Sequence, residues 1–280
     1  MQVAEFKRTI LVNGEDSAVF PVMDRGLQYG HGLFETIAIS QGQLRYCDRH
    51  LARLLRGCNQ LSIKPPDPTV IKNEATQLAG QAGQAVLKII YTCGVGGRGY
   101  RTPANSQPNR ILILSEWPAY PQSNSQTGVV LRLCETRLGS NQALAGLKHL
   151  NRLEQVIARS EWDDPDIAEG LMLDNHGQVI EGTMSNLFFV KNEILCTPSL
   201  TQSGVQGIIR EHVLELAGKL GINTYIDDFT PADVFQAEEV FLTNSLIRIW
   251  PVNKILSEEP VSYDSPGIIT SQLIAQMNKE

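Results

Sequence analysis

With 280 residues, 42% hydrophobic and 19% charged, the chain is long enough for one large or two modest domains and can bury a full core. Its net charge of −6 argues against a global basic field for nucleic acid or an anionic membrane. No apolar run reaches the roughly 20 residues of a membrane span, and residues 1–8 lack an apolar core of signal-peptide length, so a cytoplasmic location is expected. Cys47, Cys58, Cys93, Cys134 and Cys196 are scattered without CxxC pairing, and His31, His50, His149, His176 and His212 form no HExxH group. Inert core thiols and no protein-bound catalytic metal are the expectation.

In chain order, residues 9–12 read as a strand ending at the hairpin signal Asn13-Gly14. Residues 34–39 form a second strand that turns at Gln41-Gly42. Asp48 is placed to cap a helix on which Leu51, Leu54, Leu55, Cys58 and Leu61 make one apolar stripe. A second helix follows Asp67-Pro68, and residues 85–93 and 110–114 are buried strands. The prolines and polar run of residues 117–126 break every periodicity, so a linker is expected over 117–127, between a small domain (1–116) and a larger one (128–280). In the second domain a strand begins at Val129, and a helix is predicted from the neighbourhood of Lys148 to about Trp162. Residues 170–173, 178–180 and 187–190 suggest a meander. A helix over 208–220, strands over 224–226, 239–243 and 249–252, and a helix started by Ser265-Pro266 complete an α+β pattern.

Lys148 stands out chemically. It lies between a glycine-containing loop and residues Leu150, Leu153, Val156 and Ile157, which recur at helical spacing, so the spacing predicts a lysine at a helix mouth. A desolvated lysine there becomes a nucleophile and base; a solvated surface lysine is the alternative. Glu181 follows apolar strand residues and precedes a small polar turn, either as an acid facing a cationic ring or as a solvated loop acid. Gly204 to Arg210 is a glycine-flanked helix start whose N–H groups can bind phosphate, although such starts specify no ligand by themselves. Arg53 either grips phosphate or snorkels from its helix. The loop Gly94-Val95-Gly96-Gly97-Arg98-Gly99-Tyr100-Arg101 reads better as a grip on a carboxylate substrate than as an RNA-binding segment. Together a lysine, a later isolated acid, a glycine-led helix start and an upstream arginine match the needs of pyridoxal 5′-phosphate.

These residues, with Asp24 to Glu35, His50 to Leu54, Glu181 to Phe188 and Gly207 to Arg210 in the same order, make the chain resemble the fold-type IV pyridoxal phosphate enzymes. That group comprises the branched-chain and D-amino acid aminotransferases and the aminodeoxychorismate lyases. The resemblance implies a two-domain fold with the cofactor in the interdomain cleft, and a homodimer. It implies Lys148 as the Schiff-base residue and Glu181 as partner of the ring nitrogen. Arg53, the Ile208 and Ile209 amides and Ser245 would hold the phosphate. The runs Gly96 to Tyr100 and Leu144 to Gln155 look most like the lyases, and Thr36 and Asn244 stand where branched-chain aminotransferases carry other residues. The implied reaction converts 4-amino-4-deoxychorismate to 4-aminobenzoate and pyruvate. Thr36 would act near the leaving group, and Arg98, Tyr100 and Asn244 would bind the substrate. An aminotransferase of D-amino acid or branched-chain type is the alternative on the same fold. Ile209 departs from the threonine many relatives carry, which removes a hydroxyl but leaves the amide.

Overall fold

The computed structural model describes residues 8–80 and 82–279; residues 1–7, part of the stretch read above for a signal sequence, lie outside them. The chain divides into two compact units. The first runs to Ala119 and takes in Leu147–Asn151; the second comprises Tyr120–Gly146 and the chain from Arg152 onward.

The first unit contains β1 (Thr9–Val12), β2 (Glu15–Asp16), α1 (Arg25–Tyr29), β3 (Gly32–Ser40), β4 (Gln43–Leu44), α2 (Cys47–Gln60), α3 (Pro68–Ala79), β5 (Gln84–Thr92) and β6 (Asn109–Ser115). Its antiparallel sheet has the order β2-β1-β6-β5-β3-β4. Strand alternation puts Leu33, Ile37 and Ile39 in one buried cluster with Leu51, Leu54 and Cys58 of α2. The expected cap of α2 is different: Tyr46, in a left-handed conformation, precedes the helix and makes no side-chain cap. Asp48 instead takes the Lys72 ammonium at 2.6 Å. Asp67 does cap α3, accepting from the Thr69 amide at 2.8 Å.

The second unit contains α4 (Ser123–Gln126), β7 (Val129–Leu138), α5 (Leu153–Arg159), β8 (Ile167–Asp174), β9 (Val179–Gly182), β10 (Asn186–Lys191), β11 (Ile194–Pro198), α6 (Ile208–Leu220), β12 (Thr224–Asp227), α7 (Pro231–Phe235), β13 (Glu239–Asn244), β14 (Arg248–Leu256), β15 (Val261–Ser262) and α8 (Ile268–Met277). Its sheet runs β12-β11-β10-β13-β14-β7-β8-β9, and β9 also pairs with β10 through Glu181 and Asn186. The six strands β10, β13, β14, β7, β8 and β9 thereby close on themselves as a barrel. Leu131, Leu171, Leu187, Phe189, Leu242 and Val252 belong to its buried cluster. Helices α6 and α8 pack against β13, and α6 stops at Gly221, whose φ of +72° is the left-handed turn glycine permits.

Lys148 departs from the sequence reading twice. It lies in an extended segment that belongs to the first unit, whereas the reading put it in the second domain at a helix mouth. The physical cause is the open backbone edge of β3. Phe34 N donates to Lys148 O at 2.9 Å, Leu150 N donates to Gly32 O at 3.0 Å, and Leu33 bridges His149. Those bonds hold Lys148 and His149 against β3, the chain bends at Leu150, and the helix starts at Leu153. Leu153, Val156 and Ile157, which recur at helical spacing, are exposed. The expected linker carries the short helix α4, and no helix of the described residues is long and apolar enough to cross a membrane.

Candidate active site

In the first unit the lysine is set over an aromatic ring of the strand it pairs with. The Lys148 Nζ lies 4.3 Å from the centroid of the Phe34 ring, and Lys88 Nζ lies 5.2 Å from the same centroid. Thr36 shares the strand face of Phe34 and stands opposite Lys88 in register. Phe34, Thr36, Lys88 and Lys148 therefore form one group on the face of β3 away from α2. Lys88 gave no signal in the sequence, and in the structure it is an exposed strand lysine. Its cross-strand pairing with Thr36 is what draws it in.

The opposite face of β3 carries a buried ion cluster. Glu35 accepts from Arg53 Nε at 2.9 Å and Arg53 Nη2 at 2.5 Å, while His50 Nδ1 lies 2.6 Å from its Oε2. All three residues are buried. Burial alone would raise the Glu35 carboxyl, but the Arg53 charge and the hydrogen bonds from His50 and Arg53 outweigh it and hold the pKa at about 2. Burial drives His50 below its ordinary value, against the hydrogen bond and charge of Glu35, which pull the other way. Arg53 accordingly does not snorkel: its fork is pinned in one plane by Glu35. A signal for this cluster existed in the sequence. Glu35 alternates with Leu33, Ile37 and Ile39 on a core-lining strand, and His50 and Arg53 are three apart on the helix that follows.

Arg98 and Tyr100 lie on the exposed loop after β5. Tyr100 is 86% exposed, so the chain's own first unit leaves the loop tip to solvent.

In the second unit Glu181 sits at the seam where the barrel closes. Its Oε2 accepts from Val205 N at 2.9 Å and from Asn186 Nδ2 at 3.2 Å, and Asn186 Nδ2 also donates to Val205 O at 2.8 Å. Glu181 is buried, so the solvated-acid alternative is set aside. Beneath the turn joining β9 to β10, the buried Glu169 accepts from Thr183 N, Met184 N and Ser185 Oγ at 3.1, 3.1 and 2.9 Å. Gly204 adopts φ +83°, and a Cβ there would stand 2.9 Å from Ile180 and 3.3 Å from Glu181 Oε2.

Helix α6 begins with Ile208 and Ile209 after Gly207, which makes no side-chain cap. First-turn amides of such a helix suit an anion. A Cβ on Gly207 would collide with Asn186 Oδ1, tying the helix start to the partner of Glu181. Thr243, opposite Asn186 in register, has a buried hydroxyl with no partner among the described residues. Ser245 follows two residues on. Asn244 is largely used by the fold: Oδ1 accepts from Leu246 N and Ile247 N at 2.9 and 3.0 Å, and Nδ2 donates to Met184 O at 3.1 Å. One amide hydrogen of Asn244 remains for another acceptor.

Residues 32–255 match the family model for amino-transferase class IV. The chain belongs to that family. It is 38% identical over 268 residues to an aminodeoxychorismate lyase of Vibrio harveyi, covering 95% of this chain and 98% of that one. The crystal structure of 4-amino-4-deoxychorismate lyase from Pseudomonas aeruginosa matches with a TM-score of 0.92 at 46% identity, over 97% of this chain and 98% of that one. The branched-chain amino acid aminotransferase of Escherichia coli matches in fold with a TM-score of 0.87 at 24% identity, over 97% and 93% of the two chains. The aminotransferase likeness is thus the weaker one in sequence.

Proposed function

We propose that this protein is a pyridoxal phosphate-dependent lyase that converts 4-amino-4-deoxychorismate to 4-aminobenzoate and pyruvate, a step toward folate. The observation that carries the reading is the 46% identical lyase structure spanning nearly the whole chain, combined with Lys148, Thr36 and Phe34 grouped at the edge of β3. The cofactor is suited by the donor set: a lysine, a buried carboxylate held at its second oxygen, an uncapped helix start and a hydroxyl with no partner among the described residues.

In this reading Lys148 holds the cofactor. Glu181 keeps the ring nitrogen protonated, and Arg53, the Ile208 and Ile209 amides and Ser245 bind its phosphate. When bound, pyridoxal phosphate supplies an electron sink for the carbon that carries the substrate amine. The chain's own groups do the rest. The Lys148 amine takes the proton from that carbon, and the Thr36 hydroxyl hydrogen-bonds the departing enolpyruvyl oxygen. The C–H and C–O bonds break, the ring becomes aromatic, and the pyruvate enolate that leaves takes up a proton at its methylene carbon to become pyruvate. Arg98 and Tyr100, with the remaining Asn244 amide hydrogen, orient the substrate carboxylates; Lys88, opposite Thr36, adds a further cation for that purpose. A homodimer in the cytoplasm completes the proposal.

Two measurements test it. Purified protein given 4-amino-4-deoxychorismate is expected to release pyruvate and 4-aminobenzoate in equal amounts. Adding a D- or branched-chain amino acid without a keto acid should leave the cofactor's visible band in place over the same period. Accumulation of the pyridoxamine form with no aromatic product would make the chain an aminotransferase. The Gly207→Ala variant probes the anion site separately. Its Cβ must displace Asn186 from Glu181, so pyridoxal phosphate affinity of the apoprotein should fall about 10-fold or more by titration.

A further inference from the structure

We propose that Arg25 is the positioning residue of the 94–101 loop, holding it in the shape that presents Arg98 to an anionic substrate. The proposal rests on the substrate role given to that loop above.

Arg25 is 2% exposed, and among the described residues no acid pairs with it, which is unusual for a buried arginine. Its neighbour Asp24 is engaged elsewhere, accepting from Gly26 N, Thr92 Oγ1 and Asn109 Nδ2 at 2.6, 2.7 and 2.7 Å. The Arg25 fork is directed instead at two successive loop carbonyls: Nη1 donates to Gly99 O at 2.9 Å and Nη2 to Tyr100 O at 2.8 Å. Those two residues are themselves exposed, so the contact reaches from the buried interior to the surface of the loop. The buried guanidinium takes acceptors from these two carbonyls, so the same pair of bonds satisfies Arg25 and fixes the loop.

The rest of the arginine is fixed as firmly. Its Nε donates to His31 Nδ1 at 3.2 Å, which requires the His31 proton on Nε2, and that nitrogen faces Leu61 O at 2.9 Å. The guanidinium lies 4.9 Å from the Tyr29 ring centroid, and Tyr29 meets Tyr100 edge-on at 5.5 Å. At the loop's entry Arg25 N donates to Gly94 O at 2.9 Å, and Asp24 bridges Val95. Gly96 lacks a side chain where one is excluded: a Cβ would stand 2.7 Å from Arg25 Cδ. Arg98 lies between these fixed points, one residue before the first clamped carbonyl. Without the clamp a glycine-rich loop loses its conformational entropy each time it grips a ligand. The clamp therefore acts on substrate binding and leaves the chemical step alone.

The test compares cofactor-loaded wild type with Arg25→Gln, Arg98→Gln and the double variant, using 4-amino-4-deoxychorismate. Arg25→Gln is expected to raise KM about 10- to 100-fold, with kcat within about threefold and the cofactor band unchanged. The double variant should bind no worse than Arg98→Gln alone, because Arg25 acts through Arg98. Trypsin should cut after Arg98 or Arg101 about 10-fold faster in Arg25→Gln without any ligand. Should that variant fail to fold, Gly96→Ala disturbs the clamp from the loop side and must show the same KM rise and faster cutting. An unchanged KM, additive effects in the double variant, or unchanged loop cleavage overturns the proposal. If wild type shows no lyase turnover the function reading fails, and the cleavage rates still decide the clamp.

Discussion

Replacing Lys148 with alanine is expected to lower lyase turnover by roughly 10⁴-fold or more, since the proposed function gives one amine both the cofactor and the proton transfer. The fold should survive. What ties residues 148–150 to β3 is backbone: the Phe34 N to Lys148 O and Leu150 N to Gly32 O bonds do not involve the side chain. Thermal unfolding should therefore shift by only a few degrees. Borohydride treatment of loaded wild type should add the cofactor's mass to the peptide containing Lys148, and Lys148→Ala should gain none. Turnover within about 10-fold of wild type would remove Lys148 from the mechanism.

The second large effect is on stability. Glu35→Ala leaves the buried Arg53 and His50 without their carboxylate, a change that typically costs about 3–5 kcal/mol. The sign of the pH dependence follows from the direction of the shift. Glu35 has a carboxyl lowered from 4.5 to about 2, so the stability it contributes is fully present above pH 4.5 and is lost as pH falls toward 2. The shift corresponds to about 3 kcal/mol. Urea unfolding of wild type between pH 5 and pH 2 should show that loss. Glu35→Gln should be less stable at pH 7 and show a shallower acid slope. An acid slope equal to that of wild type would mean another carboxylate carries the effect. Because Glu35 also sets the plane of the Arg53 fork, Glu35→Gln should weaken pyridoxal phosphate binding in the same titrations.

These two residues also differ in how visible they were beforehand. Lys148 was conspicuous from its order relative to Glu181 and the glycine-led helix start, and the family membership agrees with the resemblance read from those motifs. Its setting was not visible. Leu150, Leu153, Val156 and Ile157 have helical spacing, yet three of them are exposed and the lysine lies against a strand. Spacing reports which residues share a helical face; it carries no information about a strand edge more than 100 residues away that has unpaired N–H and C=O groups to offer. Glu35 was written in the motif and given no role, because a lone acid in a strand has no meaning until α2 brings His50 and Arg53 across it.

One helix was legible to the residue, and several strands to within one residue. The helix over 208–220 starts after glycine and stops before glycine, and local rules suffice for both ends. The hairpin at Asn13-Gly14 and the strands through residues 85–93 and 110–114 also follow from short-range pattern. By itself, then, the sequence determined most of the elements, the α+β class and the chemical types at each candidate position, since propensity, capping and apolar alternation act over a few residues. Only the tertiary structure decided that Lys148 is held against β3, that Asn186 and Val205 hold Glu181 at the barrel seam, and that Arg25 reaches Gly99 and Tyr100. Those outcomes depend on backbone pairing and burial of polar groups between residues far apart in the chain, where a donor and its acceptor leave no common periodic signal.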